Sequence, residues 1–313
     1  MTGVQTCALP ISPILSDPLQ SEYELLVVTP FLVENQVECT VAKEYGSKLD
    51  ERPDLQLLVD KEWDKMRELR PFLYNQSKFR YDNAFYDENS TVPFHLYLGL
   101  TDYKSYIGSN MSSEWKTFFQ EGERIGCPTA YFGNPLGNIS VIVLRNGKHV
   151  LMQRGFNVAE AQGRLTCVGG HPEPLDINIK EYADVDALPP HAVRSELFAS
   201  MKREVNEEMN IPISSIAQVY ALGVEASALT HGRQVQLFCC FVDLTEDELL
   251  EAYRQGPIDK FESTGLVFLS LDKVVHRINT DPNSMSCEAR GLYSAFLSVF
   301  DTFKEKMDLW LLS

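Results

Sequence analysis

Residues 19–134 contain short apolar and aromatic runs, with one long segment of helical spacing between them. YELLVVTP predicts a strand, and the aromatic runs KFRYDNAFYD and VPFHLYLGL predict a hairpin that turns at ENST. Between them, LQLLVDKEWDKMREL repeats apolar residues at helical spacing. TDYKSYIG and SSEWKTFFQEG predict two shorter helices before the Gly-, Pro- and Asn-rich stretch GCPTAYFGNPLGN. We therefore expect a small α/β region that ends in a linker.

The residues after this linker predict a larger region with the element order β-β-loop-α-β-β-α. ISVIVLRNGKHVLMQR predicts a hairpin with Asn146–Gly147 at its turn. AQVYALGVEAS, VQLFCCFVDL and TGLVFLSL predict strands, and EARGLYSAFLSVFDTFKEKM predicts a closing helix. The strongest helical pattern is PPHAVRSELFASMKREVNEEMN, whose apolar stripe comprises Val193, Leu197, Met201, Val205 and Met209. The fold class is therefore α/β (α+β), a layered architecture around a mixed sheet.

Two segments interrupt this pattern. Residues 1–18 contain no Lys or Arg, so they lack the positive charge of a secretory signal, and we interpret them as a disordered, artefactual tail. Residues 175–188 are polar and acidic, and we expect an inserted flexible loop there, a candidate lid over a cleft. The predicted division is an accessory domain at 19–134 followed by the main domain at 135–313.

Charge and composition exclude several classes of function. The formal net charge is −16, and no basic patch is evident, so the chain is predicted to bind neither nucleic acid nor an anionic membrane surface. No apolar run reaches the roughly 18 residues of a membrane span. The seven cysteines are scattered and form no CxxC pair, so a zinc ribbon is not indicated. Their number and spacing favour a reducing compartment, the cytoplasm. A small anionic substrate would then need a metal ion or a local cluster of cations. The oligomeric state is not indicated.

The segment MKREVNEEMN places acids on one face of the main helix. Glu208 lies four residues after Glu204, and Glu207 lies three residues after it, so the three carboxylates are neighbours beside the apolar stripe. Like charges at this spacing repel each other, and a divalent cation removes that cost. Carboxylate oxygens are the ligands that Mg²⁺ and Mn²⁺ prefer. The plainer interpretation is a solvated helix face braced by Lys202 and Arg203.

A glycine turn upstream, CVGGHPEP, supplies a partner for these acids. Gly169 and Gly170 allow the backbone to turn tightly and to approach both the helix and a phosphate group. Gly170 would offer a backbone ligand to the metal, and Glu173 would offer a further oxygen, although Glu173 could simply decorate a Pro-flanked turn. The sequence therefore predicts a site for a metal-bridged pyrophosphate.

This arrangement resembles the Nudix box, whose second half reads R-E-U-x-E-E-x-G-U, where U is a bulky aliphatic residue. REVNEEMNI matches it at Arg203, Glu204, Val205, Glu207, Glu208 and Ile211, with Asn210 in the glycine position. The resemblance implies a Nudix α-β-α sandwich preceded by the smaller α/β domain. It also implies Mg²⁺, with Mn²⁺ as an alternative, bound by the three glutamates. Glu207 would be a ligand or the base that deprotonates the attacking water, and Arg203 would orient a neighbouring carboxylate.

The chain also departs from the first half of the box. The insertion separates the glycine turn from the helix, and the position of the box's first glutamate falls on Ser195. Glu196 is the adjacent residue and shares a helix side with Arg203. We expect Glu196 to brace the loop in its place, or to be an ordinary surface acid that favours the helix dipole.

Several patches together are similar to the animal Nudix hydrolases that cleave UDP-glucose and UDP-galactose: GGHPEP, SELF, VAEAQG and LGLTDYKSYIGSNMSS. The resemblance implies Mg²⁺-dependent cleavage of a UDP-hexose to UMP and hexose 1-phosphate. Two alternatives remain open. One is a Nudix hydrolase of ADP-ribose, a dinucleotide or coenzyme A, and the other is a non-catalytic nucleotide-sugar sensor.

The candidates for contact with substrate each have a plainer interpretation. Arg154 follows a strand and would hold phosphate, or it is an ordinary strand-end residue. His171 would contact the sugar or donate a proton, or serve the turn alone. Tyr103 and Phe132 would stack on uracil, or belong to the core. Glu262, in the loop before a strand, is a candidate extra base or ligand.

Overall fold

The computed structural model describes residues 22–155, 163–258 and 263–312. The strands are β1 (Tyr23–Leu32), β2 (Val37–Val41), β3 (Ser77–Tyr86), β4 (Phe94–Asp102), β5 (Gly137–Leu144), β6 (His149–Arg154), β7 (Leu165–Thr166), β8 (Val168–Gly170), β9 (Ile216–Ser227), β10 (Arg233–Val242) and β11 (Ser263–Leu269). The helices are α1 (Pro53–Leu69), α2 (Tyr103–Gly108), α3 (Trp115–Arg124), α4 (Tyr182–Val185), α5 (Ala192–Met209), α6 (Glu246–Arg254), α7 (Leu271–Thr280) and α8 (Cys287–Leu312).

A mixed sheet of eight strands forms the centre of the fold. Its main order is β1-β9-β10-β5-β6-β11, while β8 pairs with β5 and β7 pairs with β6. β10 and β5 run parallel, from Val235 opposite Gly137 to Val242 opposite Leu144, and the other pairs are antiparallel. The predicted β5–β6 hairpin turns at Gly147, whose φ of 76° suits glycine. The predicted mixed α/β class is confirmed.

Helices cover both faces of this sheet because successive side chains of each strand point to opposite sides. On one face, Leu197 and Val205 of α5 belong to the same apolar cluster as Phe238 of β10. On the other face, Leu292 of α8 clusters with Val141 of β5. Within the described part of the chain, no helix combines the length and apolar character needed to cross a membrane.

The N-terminal region adds a second sheet, in the order β2-β4-β3, and a helical cluster of α1 and α3. This sheet shares an apolar cluster with α5, and the guanidinium of Arg194 on α5 donates a hydrogen bond to the Val37 carbonyl of β2 at 3.0 Å. β1 leaves the region altogether and pairs with β9 of the central sheet. The domain division at residue 134 stays a prediction. The structure adds that both regions share a sheet and a core.

The acidic insertion packs against the N-terminal region. Its short helix α4 begins with Tyr182, whose hydroxyl accepts a hydrogen bond from the Leu100 N–H at 2.7 Å. Ile179, earlier in the insertion, is fully buried. Asn178 adopts a left-handed conformation with φ of 63°, which asparagine tolerates and which closes the preceding turn. The segment expected to be a flexible loop is therefore anchored at two points.

Candidate functional site

A cavity of about 370 Å³ opens at the end of the central sheet where β5 and β10 begin and where β6 and β8 end. Most of the residues singled out from the sequence line it. They are Tyr103, Arg154, Gly170, His171, Glu173, Glu204 and Glu208. The topology brings these positions together, although the insertion and several strands separate them along the chain.

The two acids in this cavity face the backbone of the glycine turn. Glu208 is only 4% exposed, and its Oε1 accepts a hydrogen bond from the Gly169 N–H at 3.4 Å. Oε1 of Glu204 accepts one from the His171 N–H at 3.3 Å. Both bonds come from backbone N–H groups of the turn, so the turn itself orients these carboxylate oxygens. The helix thus presents two anchored carboxylates to the turn.

Gly169 and Gly170 can lie this close to their neighbours only because glycine has no side chain. A Cβ atom on Gly170 would lie 1.9 Å from Oε1 of Glu204, and one on Gly169 would lie 2.4 Å from the Asn138 carbonyl oxygen. The Gly170 N–H donates to Oδ1 of Asn138 at 2.7 Å, and the Asn138 amide donates to Ser200 Oγ at 3.0 Å. Asn138 therefore ties the turn to α5, one helical turn before Glu204.

These groups fit a hard divalent cation. Glu204 and Glu208 offer carboxylate oxygens beside the backbone of Gly170. Across the described ranges, no set of three or more His, Cys, Asp or Glu side chains is placed to hold a metal by itself. Two carboxylates are nevertheless sufficient for Mg²⁺, which usually retains water and takes further oxygens from substrate phosphates. Glu207 is half-buried and does not line the cavity.

Arg203 joins the main helix to the insertion. Its guanidinium forms ion pairs with Glu196 at 2.5 Å and with Asp176 at 2.6 Å. Burial raises the pKa of Glu196, and the hydrogen bond from Arg203 opposes that shift. Ser195 lies on a different side of the helix, where its hydroxyl donates to Glu34 at 2.6 Å. Glu196 therefore reaches the insertion only through Arg203, and its bracing role stays a prediction.

His171 contacts a residue that the sequence analysis did not select. Nη1 of Arg233 lies 2.8 Å from Nε2 of His171, and because a guanidinium only donates, Nε2 must be the acceptor. Burial lowers the pKa of His171 well below its ordinary value, and the charges of Arg233 and Lys78 lower it further. The imidazole is therefore neutral, and donation of a proton through Nε2 conflicts with this contact.

The N-terminal region forms one wall of the cavity. Lys78 of β3 is 8% exposed and pairs with Glu173, while Tyr103 and Tyr106 of α2 line the same wall. Glu173 is thus matched with a cation from the other region. Neither Lys78 nor Tyr106 was predicted: Lys78 stands in no motif, and in the patch LGLTDYKSYIGSNMSS Tyr103 was selected instead of Tyr106.

Two of the predicted ligand or substrate-contact residues do not line the cavity, and a third falls outside the described residues. Phe132 is fully buried and packs against Phe118, with ring centroids 6.1 Å apart, so it belongs to the α1–α3 core and does not reach the cavity. Glu207 does not line the cavity either. Glu262 falls outside the described residues.

Comparison with known proteins gives two curated relatives of similar identity. The uridine diphosphate glucose pyrophosphatase NUDT22 of Mus musculus is 31% identical over 235 residues, covering 73% of this chain and 75% of the relative. Nudix hydrolase 9 of Arabidopsis thaliana is 30% identical over 302 residues, covering 92% and 96%. The chain belongs to the Nudix hydrolases. This Nudix chain is therefore an enzyme, as predicted, although no family model matches it.

Solved structures give more distant likenesses to this Nudix hydrolase. A Nudix hydrolase from Alicyclobacillus acidocaldarius is 11% identical with a TM-score of 0.36, covering 52% of this chain and 90% of that one. A protein from Deinococcus radiodurans is 15% identical with a TM-score of 0.34, covering 51% and 82%.

Proposed function

We propose that this Nudix hydrolase cleaves the pyrophosphate bond of UDP-glucose or UDP-galactose, giving UMP and hexose 1-phosphate with Mg²⁺ or Mn²⁺ as cofactor. One observation carries the proposal: two anchored carboxylates, Glu204 and Glu208, meet a side-chain-free turn inside a polar cavity. Hard oxygen donors next to a backbone that can approach a phosphate are the requirements of a metal–pyrophosphate site. Curated relatives named uridine diphosphate glucose pyrophosphatase supply the substrate class.

The roles divide between metal, water and substrate. Glu204, Glu208 and the Gly170 backbone would hold the cation, which when bound would polarise phosphoryl oxygens and lower the pKa of an attacking water. Glu207 would complete the ligands or accept the proton of that water. Arg203 would orient the carboxylate of Glu196 within α5 and, through Asp176, tie the helix to the insertion that follows the turn.

The remaining lining residues would bind the substrate. Arg154 would contact phosphate, Glu173 would make a water-mediated contact with the metal, and His171 would contact the sugar. Tyr103, which stands on the wall from the N-terminal region, would stack on the nucleoside. Phe132 is left out of this set because it is enclosed in the core.

The direct test is turnover of UDP-glucose with and without Mg²⁺, with products separated by chromatography. Glu208→Gln removes one anionic ligand, and we expect kcat to fall at least roughly 100-fold because metal and water are no longer held correctly. Glu123→Gln, a change of the same kind at an exposed position on α3, is the matched control. UMP and glucose 1-phosphate formed only with metal, at a normal rate in the control variant, are the expected result.

Other outcomes separate the alternatives. Cleavage of ADP-ribose, a dinucleotide or coenzyme A without cleavage of UDP-hexoses would replace the substrate and keep the chemistry. Tight binding of UDP-glucose without turnover of any of these compounds would indicate the sensor. All three functions involve a small molecule, as substrate or as ligand. A cytoplasmic location stays a prediction.

A further inference from the structure

Asn110 belongs to the patch LGLTDYKSYIGSNMSS, lies in the loop between α2 and α3, and is fully buried. Its Nδ2 donates to Oδ1 of Asn134 at 2.8 Å and to the carbonyl of Thr230 at 3.3 Å. Its Oδ1 accepts a hydrogen bond from the Asn134 N–H at 3.0 Å. Both donors and the acceptor of this amide are engaged by other parts of the chain, so Asn110 joins segments and is not itself a group for a ligand.

The backbone of Asn110 also holds the turn between β9 and β10. Its carbonyl oxygen lies 2.5 Å from Nδ1 of His231, and because a carbonyl only accepts, Nδ1 carries the proton. The rings of Trp115 and His231 stack with their centroids 4.3 Å apart. His231 and Gly232 have φ values of 52° and 85°, so the chain reverses tightly here. The N-terminal region thus holds the turn that precedes Arg233.

Each of the three segments that Asn110 joins carries part of the cavity lining. Asn110 itself follows α2, Asn134 precedes β5, and Thr230 precedes β10. The lining residues three or four positions away from them are Tyr106, Gly137 and Arg233. Asn134 is 1% exposed and has a left-handed φ of 42°, which asparagine tolerates. Its place is therefore well defined, and the amide of Asn110 fixes the three segments relative to one another.

Removal of this amide would leave three polar groups without their partner: the N–H and Oδ1 of Asn134 and the carbonyl of Thr230. Buried polar groups without partners are costly, so the segments would separate or admit water. Tyr103 and Tyr106, the tyrosine wall of the cavity, would then no longer stand at a fixed distance from the first residues of β5 and β10. A wall that is ordered before the substrate arrives lowers the entropic cost of binding.

We propose that Asn110 is a positioning residue, which fixes the tyrosine wall against the first residues of β5 and β10 and thereby sets the affinity for the part of the substrate beyond the metal. These contacts of Asn110 are made to neither α5 nor the glycine turn, so the proposed metal ligands should keep their arrangement without them. The inference rests on the proposed function insofar as a substrate occupies this cavity, but not on which nucleoside or sugar it contains.

The test is the steady-state kinetics of Asn110→Ala with UDP-glucose and Mg²⁺. KM should rise about 10-fold, because the substrate must then order the tyrosine wall itself. The value of kcat should stay within about 2-fold of that of the unchanged protein, because the metal site is intact. A purely structural defect would instead reduce the active fraction, which lowers kcat and leaves KM unchanged. Asn283→Ala, at an exposed asparagine between α7 and α8, is the matched control and should alter neither value.

Asn134→Gly makes a milder change at the other end of the same hydrogen bond. Glycine retains the left-handed backbone but lacks Oδ1, so KM should rise in the same direction, by about 2- to 10-fold. Because the two residues belong to one network, the double variant should raise KM by less than the product of the two single effects. Effects that multiply fully would show that the residues act independently, and would overturn the assignment.

The substrate and the role of Asn110 can be judged separately. If ADP-ribose, a dinucleotide or coenzyme A is cleaved in place of UDP-glucose, the KM comparison is made with that compound; if UDP-glucose binds without turnover, its dissociation constant replaces KM. The Mn²⁺ affinity of Asn110→Ala should equal that of the unchanged protein. A parallel loss of Mn²⁺ affinity would place the effect in the metal site and overturn the inference, as would an unchanged KM.

Discussion

At the scale of single residues, the site depends on how closely backbone and carboxylate approach each other. Glu204 and Glu208 repel each other on α5, yet both accept N–H bonds from the glycine turn. Those bonds offset part of the repulsion without a metal, so the acids are arranged in advance for a cation. The position that controls this approach is Gly170, because any side chain there would occupy the space of the Glu204 carboxylate.

Gly170→Ala should therefore damage the site more than the fold. The added Cβ would lie 1.9 Å from Oε1 of Glu204, and because that atom ends a flexible side chain, the carboxylate can rotate away. We expect Mg²⁺ affinity to fall roughly 10- to 100-fold, as when metal ligands lose their orientation. Gly265→Ala, where nothing lies within 4 Å of the new Cβ, is the control. Titration with Mn²⁺ measures the effect, and equal affinity in both variants would contradict it.

His149 should control part of the acid sensitivity of the fold. It lies between the sheet and α8, 2% exposed, and burial lowers its pKa to about 4. The unfolded chain gains this proton near pH 6.5 and the folded chain only near pH 4, so stability falls as the pH decreases between these values. From pH 7 to 5 this histidine should account for about 2 kcal/mol of lost stability.

The measurement is urea unfolding at pH 7 and pH 5 for His149→Gln beside the control His276→Gln, which changes an exposed histidine on α7. The His149 variant should lose less stability than the control between the two pH values, even though it starts less stable. Equal losses in both variants would show that another group is responsible.

At the scale of elements, a helix or strand could be predicted from the sequence where its local pattern agrees with the contacts it makes in the fold. The main helix, the β5–β6 hairpin and the closing helix follow from apolar periodicity and a turn dipeptide. α6 was missed although Thr245 and Glu248 form a capping box before it, a signal that the sequence does contain. β2 has only five residues and was not predicted, and neither was α7, in which Val274 is the one buried side chain among the described residues.

Site residues outside the motif could not be found in this way. Arg233 and Lys78 reach the cavity because β10 and β3 begin there, which is a consequence of strand order and of the packing of the two regions. Phe132 was predicted to contact substrate because it stands in a loop-like stretch, but α1 and α3 pack over it and bury it. Local sequence does not encode either arrangement.

The insertion offers a test at this scale. Tyr182→Phe removes the hydroxyl that accepts from the Leu100 N–H, so the unfolding free energy should fall by about 1 kcal/mol. Because Tyr182 lies outside the cavity lining, kcat should remain close to that of the unchanged protein. Tyr74→Phe, at a side chain that is 71% exposed, is the matched control. A large loss of kcat with unchanged stability would instead favour a lid.

At the scale of the whole molecule, the site is shared between regions. The N-terminal region contributes Lys78 and Tyr106, α5 contributes Glu204, and the first turn of α8 contributes Glu288. The strand β1 also completes the edge of the central sheet beside β9. The proposed metal ligands lie on α5 and the glycine turn, whereas the rest of the cavity lining comes from these other elements.

A chain of residues 135–313 alone should therefore fail to fold cooperatively, although that boundary separates the two predicted domains. Without β1, the N–H and C=O groups of β9 would form an exposed edge, which promotes aggregation. The α5 face that clusters with Phe79 and Leu96 would also be exposed to water. A chain of residues 19–313 is the control, and it should remain soluble and active. Circular dichroism and turnover of UDP-glucose compare the two. A soluble, fully active 135–313 chain would show that the main domain is independent and that the shared sheet is dispensable.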